Sequence, residues 1–309
     1  MVIFGGGCYG TALANCFSRS VQQIYVVEQN PLIIQSVNEK HENSISLPGI
    51  KLSDNITFVD SFAQLSNIEV VIVAVPAKYV SSVGEFLKQS NLNKNTPVIL
   101  CSKGFDLDGR RPLFYVLEEM LDSPILVLSG PSFAAEIVRG KFAIVNLASK
   151  NTQLAENLAN QLTSLNFKVE SLDDPVGLSV AGAMKNVLAI CCGILSAKNF
   201  GNSGIASVIA RGIQEIQMII QFFGGKPASI NSVGAIGDIF LTCNSLQSRN
   251  MSFGRCLAQN ETWQGGTVEG LDAAQLIDFL SEKISIPLFQ NIYKTINKQI
   301  SVDELIYFM

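Results

Sequence analysis

The sequence has one histidine, few charges and no paired-cysteine motif, and each shortage excludes a class of function. His41 lies in the polar stretch NEKHENS, where we expect a surface role, so any catalytic mechanism must work without histidine. The seven cysteines form no CxxC pair, which argues against a structural metal and indicates reduced thiols in a cytoplasmic protein. The net charge is −4 and the lysines and arginines are scattered along the sequence, which argues against nucleic acid or a membrane surface as the main partner.

Long unbroken apolar runs are also missing, although 48% of the residues are hydrophobic. A membrane span needs roughly 18 consecutive apolar residues, and the sequence contains no such run. Parallel sheets covered on both faces by helices explain the composition instead, because their strands are short, continuous apolar runs. At 309 residues, the length suggests about two domains.

A glycine-rich turn follows the first predicted strand, Val2–Phe4, and precedes a predicted helix over residues 11–20. Gly5, Gly7 and Gly10 supply the GxGxxG pattern in the strand–turn–helix context that gives it meaning. Such glycines let backbone N–H groups approach a pyrophosphate at the positive end of a helix. A turn without function is the alternative interpretation of the motif alone.

An acidic residue strengthens the prediction of a dinucleotide site. The second predicted strand, Ile24–Val27, ends at Glu28, the position from which a carboxylate binds the ribose hydroxyls of NAD. A carboxylate there repels a 2′-phosphate, and no arginine follows, since the next residue is Gln29. The sequence therefore predicts NAD(H) or NADP(H) as the cofactor, with NAD(H) weakly favoured.

Alternating strands and helices through the first half predict a doubly wound, mostly parallel sheet. The further strands are predicted at residues 70–75, 97–101, 125–128, 143–147 and 167–170, with a helix at 153–165. After residue 173 the patterns indicate helices at 173–197, 207–223, 272–282 and 287–297, with polar, glycine-rich loops at 199–204, 234–245 and 247–254. We therefore expect an α/β N-terminal Rossmann-type doubly wound domain (1–173) plus an all-α C-terminal domain (174–309).

The helix predicted over residues 173–197 carries an isolated Lys185 and Asn186 in an otherwise apolar sequence. Lysine is almost never fully buried without a partner, although a snorkelling side chain would satisfy the same pattern. Hydride transfer to a ketone leaves an alkoxide that needs a proton and a nearby positive charge, both of which Lys185 can supply. Asp238 would orient this ammonium, unless it only caps the following helix.

Other polar residues fall where strands end or glycines cluster. Arg249 and Asn250 suit a substrate phosphate or carboxylate, unless the arginine is only a solvated charge. Lys103 follows one predicted strand, and Gly130 and Ser132 follow the next. Ligands of doubly wound sheets gather at these carboxyl ends.

The sequence closely resembles the bacterial NAD(P)-dependent glycerol-3-phosphate dehydrogenases over nearly its whole length. The blocks that carry the resemblance are GGGCYGTALA (5–14), AVP (74–76), SKGFD (102–106), LSGPSFAAEI (128–137), AGAMKNVLAI (181–190), ARGIQEI (210–216), GAIGDIFLTC (234–243), SRNMSFG (248–254) and TVEG (267–270).

The resemblance implies reversible reduction of dihydroxyacetone phosphate to sn-glycerol 3-phosphate for glycerophospholipid synthesis, by a cytoplasmic homodimer. It makes Lys185 the proton donor beside Asp238. The implied substrate residues are Lys103, Gly130, Ser132, Lys185, Asn186, Asp238, Ser248, Arg249 and Asn250. The implied cofactor residues, beside the glycines and Glu28, are Cys8, Tyr9, Gln29, Lys103, Ala134, Arg249, Thr267 and Glu269.

Two departures from the family pattern concern the cofactor. Many relatives have a basic residue or histidine at the position of Gln29, and a small or hydroxyl residue at that of Cys8. Two alternatives remain open: a β-hydroxyacid-type dehydrogenase, which also uses a lysine, and a non-catalytic dinucleotide sensor. A hydroxyacyl-CoA dehydrogenase is excluded because it requires a catalytic histidine in the second half.

Overall fold

A computed structural model describes residues 1–90 and 92–307. The chain forms two compact units. The first contains residues 1–102, 113–128 and 132–175, and the second contains residues 103–112, 129–131 and 176 onward.

The first unit is built on an eight-stranded, mostly parallel sheet, and the second contains a short two-stranded hairpin. In the described part of the chain the strands are β1 (Val2–Phe4), β2 (Ile24–Val27), β3 (Ile56–Val59), β4 (Val71–Val73), β5 (Val98–Leu100), β6 (Phe105–Asp106), β7 (Arg111–Pro112), β8 (Ile125–Ser129), β9 (Ala143–Ala148) and β10 (Phe167–Leu172). The sheet order is β10-β9-β8-β5-β4-β1-β2-β3, so the order reverses between β1 and β4. Doubly wound sheets bind ligands at that switch point.

Six α-helices belong to the described residues of the first unit. They are α1 (Cys8–Phe17), α2 (Pro31–Lys40), α3 (Val80–Gln89), α4 (Leu113–Met120), α5 (Ala134–Ile137) and α6 (Thr152–Leu162). The core of this unit contains fully buried side chains such as Ile3, Leu13 and Ile72. The α/β fold expected from the alternating pattern is confirmed.

The strand predictions were accurate for β1 and β2 and differed at the ends of most others. β3, Ile56–Val59, was missed because its short pattern alternates buried and half-buried residues rather than forming an apolar run. The first helix begins at Cys8 rather than at residue 11, because the last glycine of the motif is already helical. The alternating pattern implied helices between the strands but gave no bounds for four of them, α2 to α5.

In the part of the chain that the structure describes, eight α-helices form most of the second unit, as expected for an all-α half. They are α7 (Pro175–Ala197), α8 (Gly201–Phe222), α9 (Asp238–Asn244), α10 (Arg249–Ala258), α11 (Glu269–Ala274), α12 (Ile277–Ser281), α13 (Pro287–Ile296) and α14 (Val302–Tyr307). Helix α7 starts two residues later than predicted, and the helix predicted at 272–282 is divided between α11 and α12.

Three predicted loops were wrong, because their glycines lie inside or at the start of helices. Residues 201–204 belong to α8, and residues 234–245 form a π-helical turn followed by α9. Residues 247–254 run into α10, whose N-cap, Ser248, accepts a hydrogen bond from the backbone N–H of Met251. Glycine within a helical pattern often reflects packing rather than a turn.

Helix α7 is the core of the second unit. Among the described residues it is the one helix long and apolar enough to cross a membrane, but its apolar stretch is entirely buried inside the protein. Lys185 and Asn186 are buried with it, at 6% and 3% exposure. The snorkelling alternative is therefore excluded, and the ammonium must have partners within the protein.

Two glycines let the backbones of α7 and α10 touch. A Cβ atom on Gly193 of α7 would overlap the carbonyl oxygen of Met251, and one on Gly254 of α10 would overlap that of Ile190. Gly182 also permits a close approach to α7, since a Cβ atom there would lie 3.3 Å from Ser129 Oγ and 3.6 Å from the Lys103 side chain.

We expect Gly254→Ala to destabilise the second unit. The added methyl must displace the α7 backbone, and overpacking of this kind costs about 1–3 kcal/mol, more than the roughly 0.5–1 kcal/mol that alanine gains over glycine in a helix. Thermal unfolding measures the change. Gly204→Ala in α8 is the matched control, since its methyl would contact only the Phe200 side chain; equal stability of the two variants would contradict the close approach.

Candidate active site

The glycine-rich turn lies at the carboxyl ends of β1 and β4. Gly5 has a φ of 105°, and a Cβ atom there would lie 2.8 Å from the carbonyl oxygen of Ala74. A Cβ atom on Gly10 would overlap the carbonyl oxygen of Gly5. The first and third glycines of the motif are therefore required by the fold itself, before any ligand binds.

The second glycine, Gly7, has a different environment. It is the N-cap of α1, and a Cβ atom there would meet no protein atom within 4 Å. With no side chain on the cap, the N–H groups of the first turn are open to an anion. This open cradle at the positive end of a helix fits the pyrophosphate of a dinucleotide.

Glu28 lies beside this turn and accepts three backbone hydrogen bonds. One carboxylate oxygen accepts from Gly6 N at 2.9 Å, and the other accepts from Gln29 N at 2.8 Å and Asn30 N at 2.9 Å. A carboxylate has about four acceptor positions, so these bonds leave capacity for a ribose hydroxyl. The carboxylate fixes the turn and keeps a negative charge next to it.

The remaining residues that the resemblance assigns to the cofactor in the first unit lie nearby in the fold. Cys8 is exposed at the start of α1 and donates its thiol hydrogen to Ser46 O at 3.0 Å. The hydroxyl oxygens of Tyr9 and Ser132 are hydrogen-bonded at 3.1 Å. Ala134 begins α5, and Gln29 is exposed after β2.

Lys185 lies at the centre of a buried polar cluster in the second unit. Its ammonium donates to Asp238 Oδ1 at 2.8 Å and to Thr242 Oγ1 at 2.6 Å. The other carboxylate oxygen, Oδ2, accepts from Lys103 Nζ at 2.5 Å and from Ser129 Oγ at 3.4 Å. One carboxylate therefore bridges two lysines, and the cluster of three charges is cationic.

Burial and neighbouring charges set the ionisation of this cluster. Desolvation lowers the pKa of Lys185 from 10.5 to about 8, with Asp238 opposing the change and Lys103 adding to it. Burial raises the pKa of Asp238, but the two lysines outweigh this and hold it below its ordinary value of 3.8. Near neutral pH the carboxylate is ionised, and Lys185 is an ammonium that gives up its proton more readily than a surface lysine.

Two members of the cluster, Thr242 and Ser129, were missed by the sequence analysis. Thr242 lies four residues after Asp238, one helical turn along α9, so its hydroxyl also donates to Oδ1 at 3.3 Å. The misassigned loop at 234–245 hid this spacing. Ser129 ends β8 immediately before Gly130, at a strand end that the analysis had already marked.

Three side chains that the resemblance assigns to substrate or cofactor form a second network. Asn250 donates to Asn186 Oδ1 at 2.9 Å, and Asn186 donates to Glu269 Oε2 at 3.3 Å. Asn250 Oδ1 in turn accepts from the backbone N–H of Gly270 at 2.9 Å. These bonds fix the orientation of both amides and join α7, α10 and α11.

Arg249 is the exposed cation of the site. It is the first residue of α10, where its charge adds to the positive end of the helix dipole rather than opposing it. Within residues 1–90 and 92–307 its guanidinium forms no ion pair. Positive charge collected without a counterion favours an anionic ligand. Thr267 is exposed on the segment that leads to Glu269.

Several expectations from sequence can be compared with this geometry. Asp238 begins α9, but its side chain contacts the lysines rather than capping the helix. His41 is half-buried at the end of α2 rather than fully exposed. All seven cysteines are free, and no group of three metal-ligating side chains occurs in the described parts of the chain.

Known proteins resemble the chain over its whole length. A family model for the N-terminus of NAD-dependent glycerol-3-phosphate dehydrogenase matches residues 1–155, and the C-terminal model matches residues 174–307. A glycerol-3-phosphate dehydrogenase [NAD(P)+] of Caulobacter vibrioides is 33% identical over 98% of this chain and 94% of that protein. The corresponding Ehrlichia canis protein is 32% identical over 99% of this chain and 98% of its own length. A crystal structure of glycerol-3-phosphate dehydrogenase from Coxiella burnetii has a TM-score of 0.91 at 28% identity, covering 99% of this chain and 97% of that one.

We expect Gly7→Ala to weaken dinucleotide binding without weakening the fold. The added methyl meets no protein atom but projects into the cradle, so the dissociation constant for NADH should rise at least about tenfold, the effect of roughly 1.4 kcal/mol. Titration of NADH fluorescence and thermal unfolding measure the two quantities. Unchanged NADH affinity would show that the cradle does not hold the cofactor.

Proposed function

The chain belongs to the NAD-dependent glycerol-3-phosphate dehydrogenase family, and we propose that it catalyses the reversible, NAD(P)-dependent reduction of dihydroxyacetone phosphate to sn-glycerol 3-phosphate. The observation that carries this proposal is the buried ammonium of Lys185. It spends two of its three N–H donors on Asp238 and Thr242 and has no further partner among the described residues. The third N–H is available to a substrate oxygen.

The cofactor would be held by the glycine turn and its neighbours. Gly5, Gly7 and Gly10 would receive the pyrophosphate, with Cys8 and Tyr9 in the first helical turn and Glu28 at the ribose. Gln29 and Ala134 in the first unit, and Lys103, Arg249, Thr267 and Glu269 in the second, complete the proposed set. When bound, the reduced nicotinamide supplies the hydride for the ketone carbon.

Lys185 would supply the proton of the reaction. As the ketone is reduced its oxygen gains negative charge, and a buried ammonium stabilises that charge more strongly than one in water. The lowered pKa places proton donation near neutral pH, where a general acid is effective. In the reverse direction the neutral amine accepts the proton of the glycerol 3-phosphate hydroxyl.

Asp238 and Lys103 would tune and position this donor. Asp238 keeps the buried ammonium from losing its proton too easily, because removal of the anion would leave two lysines repelling each other. Lys103 shares the carboxylate and adds positive charge for a substrate oxygen. Thr242 accepts from Lys185 and donates to Asp238, which fixes the direction of the free N–H.

The substrate phosphate would bind at the start of α10. Arg249 provides the guanidinium, and Ser248 and Asn250 lie on either side of it, with Asn186 held by Asn250. A planar guanidinium at a helix N-terminus suits a phosphate better than a neutral end of the substrate. Gly130 and Ser132, beside the cluster residue Ser129, are proposed to line the rest of the substrate site.

The alternatives explain less of the structure. A dinucleotide sensor needs the glycine turn but has no use for a buried lysine with a lowered pKa, whose burial must be compensated. A β-hydroxyacid-type enzyme would use a lysine, yet its substrate does not require a phosphate-binding cation at Arg249.

We also propose the cellular setting and assembly. Seven free cysteines and a small-molecule substrate support a cytoplasmic enzyme that is not integral to a membrane. Residues 1–173 would be the dinucleotide-binding domain and residues 174–309 the helical catalytic domain. The exposed Met218 and Phe222, one turn apart on α8, support a homodimer, which sedimentation velocity would detect.

We expect Lys185→Met to abolish turnover and the wild-type rate to depend on this group's ionisation. Reduction requires the ammonium, so kcat for dihydroxyacetone phosphate should fall as the pH rises through about 8, while oxidation of glycerol 3-phosphate should rise. Steady-state kinetics across pH measure both. NADH titration would show that the variant still binds cofactor.

Lys198→Met is the matched control, because Lys198 follows the same helix but pairs at the surface with Asp303. This variant should retain full activity. Substantial turnover by Lys185→Met would remove Lys185 from the mechanism.

We expect NADH to be preferred over NADPH in kcat/KM at limiting concentrations. The Glu28 carboxylate repels a 2′-phosphate, and no basic residue follows it in Gln29 or Asn30. Glu28→Gln should reduce the ratio of kcat/KM for NADH to that for NADPH, because it removes the negative charge that repels the 2′-phosphate. A strong preference of the wild type for NADPH would refute this role of Glu28.

A further inference from the structure

Trp263, the only tryptophan of the chain, is fixed at two points between α10 and α11. Its indole N–H donates to the carbonyl oxygen of Gly266 at 2.9 Å. Its ring meets that of Phe253 edge-on, with centroids 6.0 Å apart and an interplanar angle of 87°. Phe253 lies on α10 one turn after Arg249, so the indole joins this helix to the segment that follows it.

The two glycines after Trp263 connect it to Arg249. A Cβ atom on Gly265 would overlap the six-membered ring of Trp263, so the Gly265 backbone lies directly against the indole. A Cβ atom on Gly266 would lie 3.1 Å from Arg249 Nη1. Consecutive residues of this turn therefore touch the tryptophan and then the guanidinium.

The far end of the same segment is anchored by the amide network. Val268 is buried, Glu269 accepts from Asn186, and the backbone N–H of Gly270 donates to Asn250. The segment from Trp263 to Gly270 is thus held at both ends, and Gly266 lies against Arg249 between the two anchors. The anchor near Gly270 is formed by the proposed site residues Asn186 and Asn250, whereas the anchor at the other end is Trp263.

Arg249 itself needs such a support. Its side chain is exposed and forms no ion pair with any described residue, so its rotamers are limited by packing rather than by a partner. Ordering a free arginine costs much of the affinity that its contacts gain, and preorganisation removes that cost. A backbone wall at Gly266 excludes part of the space available to the guanidinium.

We propose that Trp263 is a positioning residue for substrate binding: it holds the Gly265–Gly266 turn against the Arg249 guanidinium and so preorganises that group for the substrate phosphate. This rests on the proposed function, in which Arg249 binds the phosphate. Trp263 touches neither substrate nor cofactor and acts only through Arg249.

The test compares Trp263→Phe, which keeps a ring and removes the N–H donor, with Gln264→Ala, an exposed neighbour in the same loop. Trp263→Phe should raise KM for dihydroxyacetone phosphate by about three- to tenfold, the effect of one hydrogen bond, and leave kcat unchanged. Gln264→Ala should change neither constant. A change in kcat alone, or equal effects of the two variants, would overturn the proposal.

A double-mutant cycle separates positioning from general stabilisation. If Trp263 acts through Arg249, adding Trp263→Phe to Arg249→Ala should not raise KM further, whereas independent effects would multiply. Multiplied effects would overturn the proposal. An unchanged KM in Arg249→Ala itself would instead refute the proposed role of Arg249, and a raised KM there without one in Trp263→Phe would refute only the positioning role.

Hydrogen exchange of the free protein gives a readout that needs no turnover. Loss of the indole hydrogen bond should speed exchange of the amides at residues 264–267 in Trp263→Phe but not in Gln264→Ala. Unchanged exchange in Trp263→Phe would show that the indole does not hold the turn.

Discussion

The structure depends on one electrostatic constraint: an ammonium group buried in the long apolar helix α7. Removing a charge from water costs several kcal/mol unless partners compensate, and the hydrogen-bond partners of Lys185, Asp238 and Thr242, both lie on α9 rather than on α7. Asp238 supplies the compensation, and its two oxygens are shared between Lys185 and Lys103. The pKa of Lys185 still falls to about 8, so folding disfavours its charged form, and this group's contribution to stability rises between pH about 8 and 10.5. Such a stability cost is characteristic of a functional site.

Close backbone packing brings the rest of the site to this cluster. Gly193 and Gly254 let α7 and α10 touch, and Gly270 brings its backbone to Asn186 and Asn250. Lys185 and Asn186 are adjacent in sequence, and adjacent residues of a helix face different directions. They therefore join different networks: the lysine binds Asp238, and the amide binds Asn250 and Glu269. A helix with the composition of a protein core therefore carries both the proposed proton donor and the support of the proposed phosphate site.

Much of this was predictable from the sequence, for identifiable physical reasons. Continuous apolar strands, the GxGxxG turn and the acidic end of β2 are local patterns; they predicted the sheet, which the structure confirms, and they indicate the proposed cofactor site. Lys185, Asp238 and Arg249 were found because charged residues among apolar or glycine-rich sequence need an explanation. The helices α9 and α10 were mistaken for loops, since glycines required by packing look the same in sequence as glycines required by turns. The proposed roles of Thr242, Ser129 and Trp263 were missed because they depend on which neighbours the fold provides.

The ionisation of Lys185 is the central claim, and it can be measured directly. A pH titration of the side-chain nitrogen by NMR, in protein labelled at lysine and assigned with the Lys185→Met variant, reports this one group. We expect a midpoint at about 8. A midpoint near 10.5, the ordinary value for lysine, would contradict it.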